Sequence, residues 1–161
     1  MNRRELAIAL AALLRTNIAV RSASSNASSL AVGNATRSTM QHRPVNPSDN
    51  SYAQAHEVTD LARLLFVSGQ VPADDEGKVP ADFAAQCRLT WANVERQLHA
   101  GGMTLDNIVK VTTFLSDRRY RRENYEVRKA VLGPRQPAIT ILIAGIYDEA
   151  WLLEIEVVAA A

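Results

Sequence analysis

The chain has 161 residues, a length that fits one domain with a single hydrophobic core. Its 47% hydrophobic and 22% charged residues are typical of an ordinary globular protein, and a net charge of +1 gives no bulk attraction to nucleic acid. The single cysteine, Cys87, excludes a disulfide within one chain and favours a reducing compartment. The apolar run at residues 6–14 is too short to cross a bilayer.

The beginning of the chain differs from the rest. Residues 1–50 carry six arginines against two acidic side chains, whereas residues 51–161 carry 12 basic and 15 acidic side chains. A Ser-, Asn- and Ala-rich stretch without periodicity predicts that residues 1–45 are a disordered or targeting-like extension. An organelle-targeting peptide, a secretory signal and an extension without a role before a start near Met40 stay open, and we favour the last. We expect a cytoplasmic protein, with organelle or export targeting left open.

The domain itself is predicted to span residues 50–161. His56–Asp60 and Leu64–Ser68 are predicted strands, and Pro80 is predicted to begin a helix that ends at a Gly-Gly pair. The apolar stripe of this helix has three- and four-residue spacing and consists of Phe83, Cys87, Trp91, Val94 and Leu98. Cys87 is therefore interpreted as a core residue rather than a nucleophile.

The second half of the domain alternates strand and helix signals. The β-branched run Ile108–Leu115 predicts a strand, residues 119–132 predict a second helix, and residues 137–161 predict two strands joined as a hairpin. The order β-β-α-β-α-β-β predicts an α+β fold, a mixed sheet with two helices on one face. The other face of such a sheet needs cover, and a partner subunit would supply it.

The last predicted strand carries two carboxylates. Alternation places Glu154 and Glu156 on one face and apolar side chains on the other. Burying an ionised carboxylate without partners is unfavourable. Two interpretations follow from the residues alone: either both carboxylates face solvent on an edge strand, or one of them lines a pocket.

Four segments together resemble one known family. They share an apolar strand ending in Ser-Gly-Gln, a patterned helix and strand, and a terminal Glu-Ile-Glu strand. In the chain they read LLFVSGQVPAD, ADFAAQCRLTWANVERQLHAGGMTLDNIVKVTTFLSD, PAITILIAG and LLEIEVVAA. With these four segments in this order along the chain, residues 50–161 resemble the YjgF/RidA family. The resemblance implies a chorismate-mutase-like subunit, a homotrimer and a pocket at each subunit interface.

The resemblance also implies an activity and the residues that perform it. Family members hydrolyse reactive enamines and imines without a metal or cofactor, using an Arg to hold the substrate carboxylate and a Glu to handle water. By position, the catalytic Glu is Glu154 and the Ser of the Ser-Gly-Gln motif is Ser68. Tyr52 and Asn124 correspond to a substrate-binding Tyr and Asn. The implied partners are a small metabolite and two further copies of the chain. The net charge of −3 over residues 51–161 and the short apolar run at residues 6–14 lead us to expect no nucleic acid and no membrane as partners.

The family's Arg is absent from this chain. Its motif Pro-Ala-Arg stands here as Pro137-Ala138-Ile139, so that Ile139 takes the substrate-binding position of the Arg. Ile cannot donate a hydrogen bond or carry charge, which argues against the usual deamination of 2-imino acids. Two functions therefore stay open: water-assisted deamination or hydrolysis of small enamine, imine or related carbonyl metabolites, and non-catalytic binding of a small metabolite by a trimer.

Other basic side chains could supply the missing charge. A basic run precedes and enters the second helix, and one further Arg lies a turn or two later. The candidates are Arg118, Arg119, Arg121, Arg122 and Arg128. The run is interpreted as a solvated face, with contact to the pocket as the alternative. His56 and His99 lack metal-ligand spacing with a second His or Cys, so that no metal is expected.

Overall fold

The computed structural model describes residues 39–161, and what the sequence predicts for residues 1–38 lies outside this described part. It contains six strands and two α-helices, with a short 3₁₀ turn before β4 and another before α2. Their bounds are β1 Gln41–Pro47, β2 Ala53–Thr59, β3 Leu64–Gln70, α1 Phe83–Ala100, β4 Ile108–Leu115, α2 Arg121–Leu132, β5 Ala138–Ile143 and β6 Leu153–Ala160. Neither helix of this part has the length and hydropathy of a membrane-spanning segment.

The six strands form one mixed sheet in the order β1-β2-β5-β4-β6-β3. Strand β5 runs parallel to β2 and β4, and the other neighbouring pairs are antiparallel. The two helices contact each other, and side chains from both join the sheet in one hydrophobic core. The predicted α+β fold class is therefore confirmed, with one strand more than the predicted order.

The additional strand is β1, which overlaps the end of the extension predicted for residues 1–45. Two prolines, Pro44 and Pro47, interrupt a polar sequence there and argue against a strand. Strand β1 lies at the edge of the sheet and pairs only with β2. Prolines are tolerated on an edge strand, where the missing N–H deprives no neighbour of a hydrogen bond.

The hairpin predicted for residues 137–161 is wrong, because β4 lies between β5 and β6. Val111 of β4 pairs with Ile139 on one side and with Val157 on the other. Two apolar runs that follow one another along the chain do not fix which strands pair. The connection at residues 144–152 is much longer than a tight hairpin loop and passes from one side of β4 to the other.

Helix α1 begins at Phe83 rather than at Pro80, because the Asp82 side chain accepts a hydrogen bond from the Ala85 backbone N–H at 2.9 Å and caps the helix. The predicted apolar stripe is confirmed, since all its residues are buried. Burial raises the pKa of the Cys87 thiol to about 12, an effect that nearby Arg88 only partly opposes. A thiol of this kind stays protonated at neutral pH, which fits a core residue.

The sheet has one face under the helices and one open face. In β6, Leu153, Ile155 and Val157 are buried in the core, whereas Glu154 and Glu156 point to the opposite side. On that open face Phe66 of β3 is 71% exposed. A single chain thus leaves large apolar side chains in contact with water, as the sequence predicts for a sheet that has helices on one face only.

Candidate functional site

A β-bulge in β3 brings two predicted features together. Val67 pairs with Val157 and Gln70 pairs with Ile155, so that Ser68 and Gly69 together oppose Glu156. A bulge bends the strand and re-aims its side chains, and such irregularities are frequent beside active sites. The Ser-Gly-Gln motif therefore marks a local change in the sheet geometry at the open face.

Glu154 lies directly beside this bulge. A Cβ placed on Gly69 would fall 1.6 Å from Glu154 Oε1, so that only a glycine leaves room for the carboxylate in this position. Glu154 is half-buried, whereas Glu156 is exposed. Of the two carboxylates on β6, Glu154 is the one that the backbone of β3 holds in a confined position.

Ser68 is exposed and lines a shallow cavity of about 230 Å³ on the open face. Phe66, Lys110, Thr112 and Glu156 also line this cavity, and the Lys110 ammonium donates a hydrogen bond to Thr140 Oγ1. We call Ser68, Gly69 and Glu154 the bulge group.

Ile139 lies on the other face of the sheet. It pairs with Val111, which is completely buried under the helices, and it packs against the same hydrophobic core. Further along β5, Ile141 and Ile143 point to this side as well, but they are exposed. The position of the family's Arg thus belongs to an apolar strip at the margin of the core.

Two polar side chains of α2 are buried on the helix side of the sheet. Asn124 is 1% exposed, and its Oδ1 accepts a hydrogen bond from the Cys87 Sγ at 3.9 Å. Arg128, one helical turn later, is 4% exposed and donates from Nη2 to the Asn50 carbonyl oxygen at 3.3 Å. Burial lowers the pKa of Arg128, and Tyr125, Cys87 and Tyr52 oppose this effect.

We call Tyr52, Asn124, Arg128 and Ile139 the helix-side group. Tyr52 is half-buried and lies close enough to Arg128 to influence its pKa. The sequence singled out Arg128 only as one of five arginines. The signal that separates it from the others is its spacing from Asn124 and Val127, which places it on the buried side of the helix.

The other four arginines, Arg118, Arg119, Arg121 and Arg122, are all exposed. Arg119 lies over the ring of Tyr120 with its guanidinium carbon 4.8 Å from the ring centroid. Within one chain, this arrangement agrees with the interpretation of the basic run as a solvated face.

The structure does not bring the two groups together within one chain. Glu154 and Ile139 lie on opposite faces of the sheet. Their strands are two positions apart, about 10 Å at ordinary strand spacing, and because Ile139 is level with Val157, Glu154 lies three residues, about another 10 Å, further along the sheet. The predicted site residues therefore form two partial sites, the bulge group on the open face and the helix-side group beneath the sheet.

Histidines do not form a metal cluster in the described part. His42 and His56 share a hydrogen bond of 2.8 Å between Nδ1 and Nε2, and burial lowers the pKa of His56. Among residues 39–161, no three His, Cys, Asp or Glu side chains are grouped in a way that could hold a metal ion.

Comparisons with known proteins agree with the fold and the motifs. The family model described as "Endoribonuclease L-PSP" matches residues 40–161, and the bulge and the terminal Glu-Ile-Glu strand both lie within the match. The chain therefore belongs to this family of α+β proteins, the YjgF/RidA family.

Three relatives illustrate the range of the similarity. Protein mmf2, mitochondrial, of Schizosaccharomyces pombe is 33% identical over 125 residues, which cover 75% of this chain and 99% of that protein. The 2-iminobutanoate/2-iminopropanoate deaminase of Escherichia coli is 42% identical over 59 residues, 36% of this chain and 46% of the enzyme. The crystal structure of E. coli TdcF with bound serine superposes with a TM-score of 0.59 at 28% identity, covering 71% of this chain and 91% of TdcF. The match to the deaminase thus spans about half the length of that enzyme.

Proposed function

We propose that this protein is a hydrolase of small reactive enamines or imines, which it converts with water to carbonyl compounds and ammonia. The observation that carries the proposal is the half-buried carboxylate of Glu154, which is confined against the backbone of Gly69 at a β-bulge. The printed name of the E. coli relative, 2-iminobutanoate/2-iminopropanoate deaminase, supports the same reaction class. Because that similarity covers only part of the enzyme, the activity is a proposal for this chain.

Glu154 would handle the attacking water in this reaction. Its carboxylate accepts a proton from water while the oxygen adds to the imine carbon, and the proton then passes to the nitrogen. Collapse of the resulting carbinolamine breaks the C–N bond, releases ammonia and leaves the carbonyl product. Ser68 would donate a hydrogen bond at the edge of the site. An enamine substrate would first take up a proton at carbon to become the imine, and the reaction needs no cofactor.

The complete site in this proposal is built by two subunits of a homotrimer. The bulge group and the helix-side group face away from each other in one chain, so that a pocket containing both requires a second copy. Phe66 on the open face is 71% exposed and Ile143 on the helix side is 48% exposed, and both surfaces would be covered in the assembly. In this arrangement Glu154 of one subunit meets the half-buried Tyr52 and Ile139 of the next, whereas Asn124 lies behind them, buried in its own chain.

Ile139 makes the proposed pocket more apolar than one that carries the family's Arg. Losing a buried guanidinium–carboxylate pair weakens binding by about 2–5 kcal/mol. We therefore propose that position 139 does not anchor a carboxylate, so that a substrate needs no carboxylate at this position and small uncharged imines or enamines are accepted.

Ile139 also supports a second candidate function, non-catalytic binding of a small metabolite. Ile139 is half-buried against the core and offers no charge, which favours a trimer that binds a small metabolite without turning it over. The two functions differ in what Glu154 does. In the enzyme its removal abolishes turnover, whereas in a binding protein there is no turnover to lose.

The test measures ammonia release from 2-aminoacrylate and from a neutral aliphatic ketimine, each generated in the assay. We expect the wild type to exceed the buffer rate with the ketimine, and Glu154→Gln to fall by about 10²-fold or more, the usual contribution of a general base. Glu156→Gln is the matched control and should keep wild-type turnover, because Glu156 lies opposite the bulge but is exposed, and the carboxylate confined against Gly69 is that of Glu154. Equal rates for the wild type and Glu154→Gln would contradict the enzymatic proposal and favour the binding protein.

We propose a cytoplasmic location, with import into an organelle as the alternative. The printed name of the S. pombe relative, "mitochondrial", favours the alternative for that protein. Sequencing the N-terminus of the natural protein, together with cell fractionation, decides between them. A mature chain that begins near Met40 and is found in an organelle would contradict the cytoplasmic proposal.

A further inference from the structure

Arg128 differs from every other arginine in the described part. It alone is buried, at 4% exposure. The arginines with acidic partners are those nearer the surface, namely Arg43, Arg96, Arg119 and Arg135. No carboxylate of residues 39–161 lies within salt-bridge distance of Arg128.

The hydrogen bonds of Arg128 leave most of its donors free. A guanidinium has five N–H donors, and the bond from Nη2 to the Asn50 carbonyl oxygen is long, at 3.3 Å. The buried Nε has no partner among the residues described. The guanidinium carbon also lies 5.6 Å from the centroid of the Tyr125 ring, but this cation–π contact leaves the Nε–H donor without an oxygen acceptor. Because a weakly paired buried charge is costly, the arrangement favours a further acceptor.

Asn124 presents a second donor of the same kind. Its Nδ2 is buried and likewise has no partner within residues 39–161, while its Oδ1 is occupied by the Cys87 thiol at 3.9 Å. The thiol thus orients the amide with its NH₂ free. Because Asn124 and Arg128 are four residues apart on α2, both donors lie on one face of the helix.

We propose that Arg128 and Asn124 form a carboxylate-binding site on the inner face of α2, for a small 2-oxo or 2-imino acid. A carboxylate would accept hydrogen bonds from the guanidinium and from the Asn124 amide, and such charge-assisted bonds are stronger than the present bond to a neutral carbonyl. The site would supply from the helix the charge that Ile139 does not supply from β5. The role of this site as a substrate anchor rests on the proposed function, whereas the affinity of the site for a carboxylate is independent of it.

The turn between β1 and β2 lies against the Arg128 guanidinium. Asn50 supplies the acceptor for Arg128, and Ser51 beside it has a φ of 60° and is buried at 8% exposure. The turn is held by its own hydrogen bonds, from the Asn50 N–H to Ser48 Oγ at 3.2 Å and from the Ser48 N–H to the Tyr52 carbonyl oxygen at 3.0 Å, so that the contact of the Asn50 carbonyl with Arg128 is only the long bond of 3.3 Å. A carboxylate can therefore displace that carbonyl from the guanidinium without breaking a strong interaction.

The test uses the full chain and two probes of the same shape, pyruvate and its neutral amide, pyruvamide. Isothermal titration should show that the wild type binds pyruvate more tightly than pyruvamide. Arg128→Met removes the charge from an unbranched side chain and should weaken pyruvate binding about tenfold or more, with pyruvamide binding little changed. Arg121→Met, on the exposed side of the same helix, is the matched control and should bind both probes as the wild type does.

Several results would overturn the proposal. The first is that the wild type does not bind pyruvate, as expected if a second copy of the chain occupies Arg128. The second is that Arg128→Met affects the binding of both probes equally, as expected if Arg128 only holds the Asn50 turn. If Arg128→Met does not fold, the test uses NMR spectra of the wild type instead, in which the Arg128 Nε–H and Asn124 Nδ2–H₂ resonances are followed during titration. Both should shift with pyruvate but not with pyruvamide, and unchanged resonances would overturn the proposal.

The outcome separates this site from the proposed function. Pyruvate binding that depends on Arg128, in a protein without ketimine turnover, would keep the site and refute the deamination. Turnover that depends on Glu154, with pyruvate binding unaffected by Arg128→Met, would keep the deamination and refute the site.

Discussion

The Glu154 carboxylate lies against the backbone of Gly69, where a Cβ would fall 1.6 Å from Oε1 and 2.6 Å from the carboxyl carbon. The atoms in conflict belong to the end of a flexible side chain, and Gly69 does not have a positive φ. A side chain on residue 69 would therefore move the carboxylate rather than the strand. A substitution at residue 69 can therefore displace the Glu154 carboxylate without destabilising the fold.

Gly69→Ala should accordingly reduce activity without unfolding the protein. We expect turnover of the ketimine to fall by about 10²-fold, close to the loss in Glu154→Gln, because the carboxylate no longer stands where water is activated. The midpoint of thermal unfolding should change little, since the loss of backbone freedom in the unfolded chain is worth only about 0.4–1 kcal/mol. Gly145→Ala is the control, because a Cβ there meets nothing within 4 Å. Wild-type turnover in Gly69→Ala would contradict the role of the confined carboxylate.

Ile139→Arg should restore the family's usual preference. A guanidinium at the margin of the core can hold a substrate carboxylate, so that ammonia release from 2-aminoacrylate should rise by about tenfold or more over the wild type. Ile141→Arg, on the same side of β5 but exposed, is the matched control and should show no gain. If the wild type already handles 2-aminoacrylate as fast as Ile139→Arg, position 139 does not limit the reaction.

The sequence could predict the fold class because its elements have strong local signals. The stripe of α1 and the β-branched run of β4 have the periodicity of a helix and a strand, and both are found where they are predicted. Strand β1 and the separation of β5 from β6 escaped prediction, because an edge strand needs no hydrophobic pattern and strand order is a property of the whole sheet. The helical spacing from Asn124 and Val127 indicates the buried side for Arg128, but the sequence could not show what contacts its guanidinium, because the turn at Asn50 is far away along the chain.

Exposed Phe66 provides a test of the proposed trimer. The side chain is 71% exposed in one chain and would be buried in the assembly, which is worth about 1.5–3 kcal/mol for a residue of this size. We expect light scattering at micromolar concentration to show three chains for the wild type and smaller species for Phe66→Asp. Tyr147→Asp changes a residue that is 95% exposed in the connection between β5 and β6 and should leave the trimer intact. A wild-type monomer would contradict the pocket built by two subunits.

Cys87 should make the stability of the protein depend on alkaline pH. Burial raises the pKa of its thiol from an ordinary value of 9.0 to about 12, so that between these values the folded state retains a proton that the unfolded state has lost. Stability is therefore fully present below pH 9 and decreases as the pH rises towards 12, by at most about 1.4 kcal/mol per pH unit for one proton.

Cys87→Ala removes this titration while keeping an apolar residue in the stripe of α1. We expect the variant to be less stable than the wild type at pH 7, because a small cavity remains, but to lose less stability between pH 8 and pH 10.5. Tyr and Lys side chains titrate alike in both proteins, so that the difference between the two urea-unfolding curves isolates the thiol. A difference in unfolding free energy that stays constant over this pH range would show that the Cys87 thiol titrates normally in the folded protein.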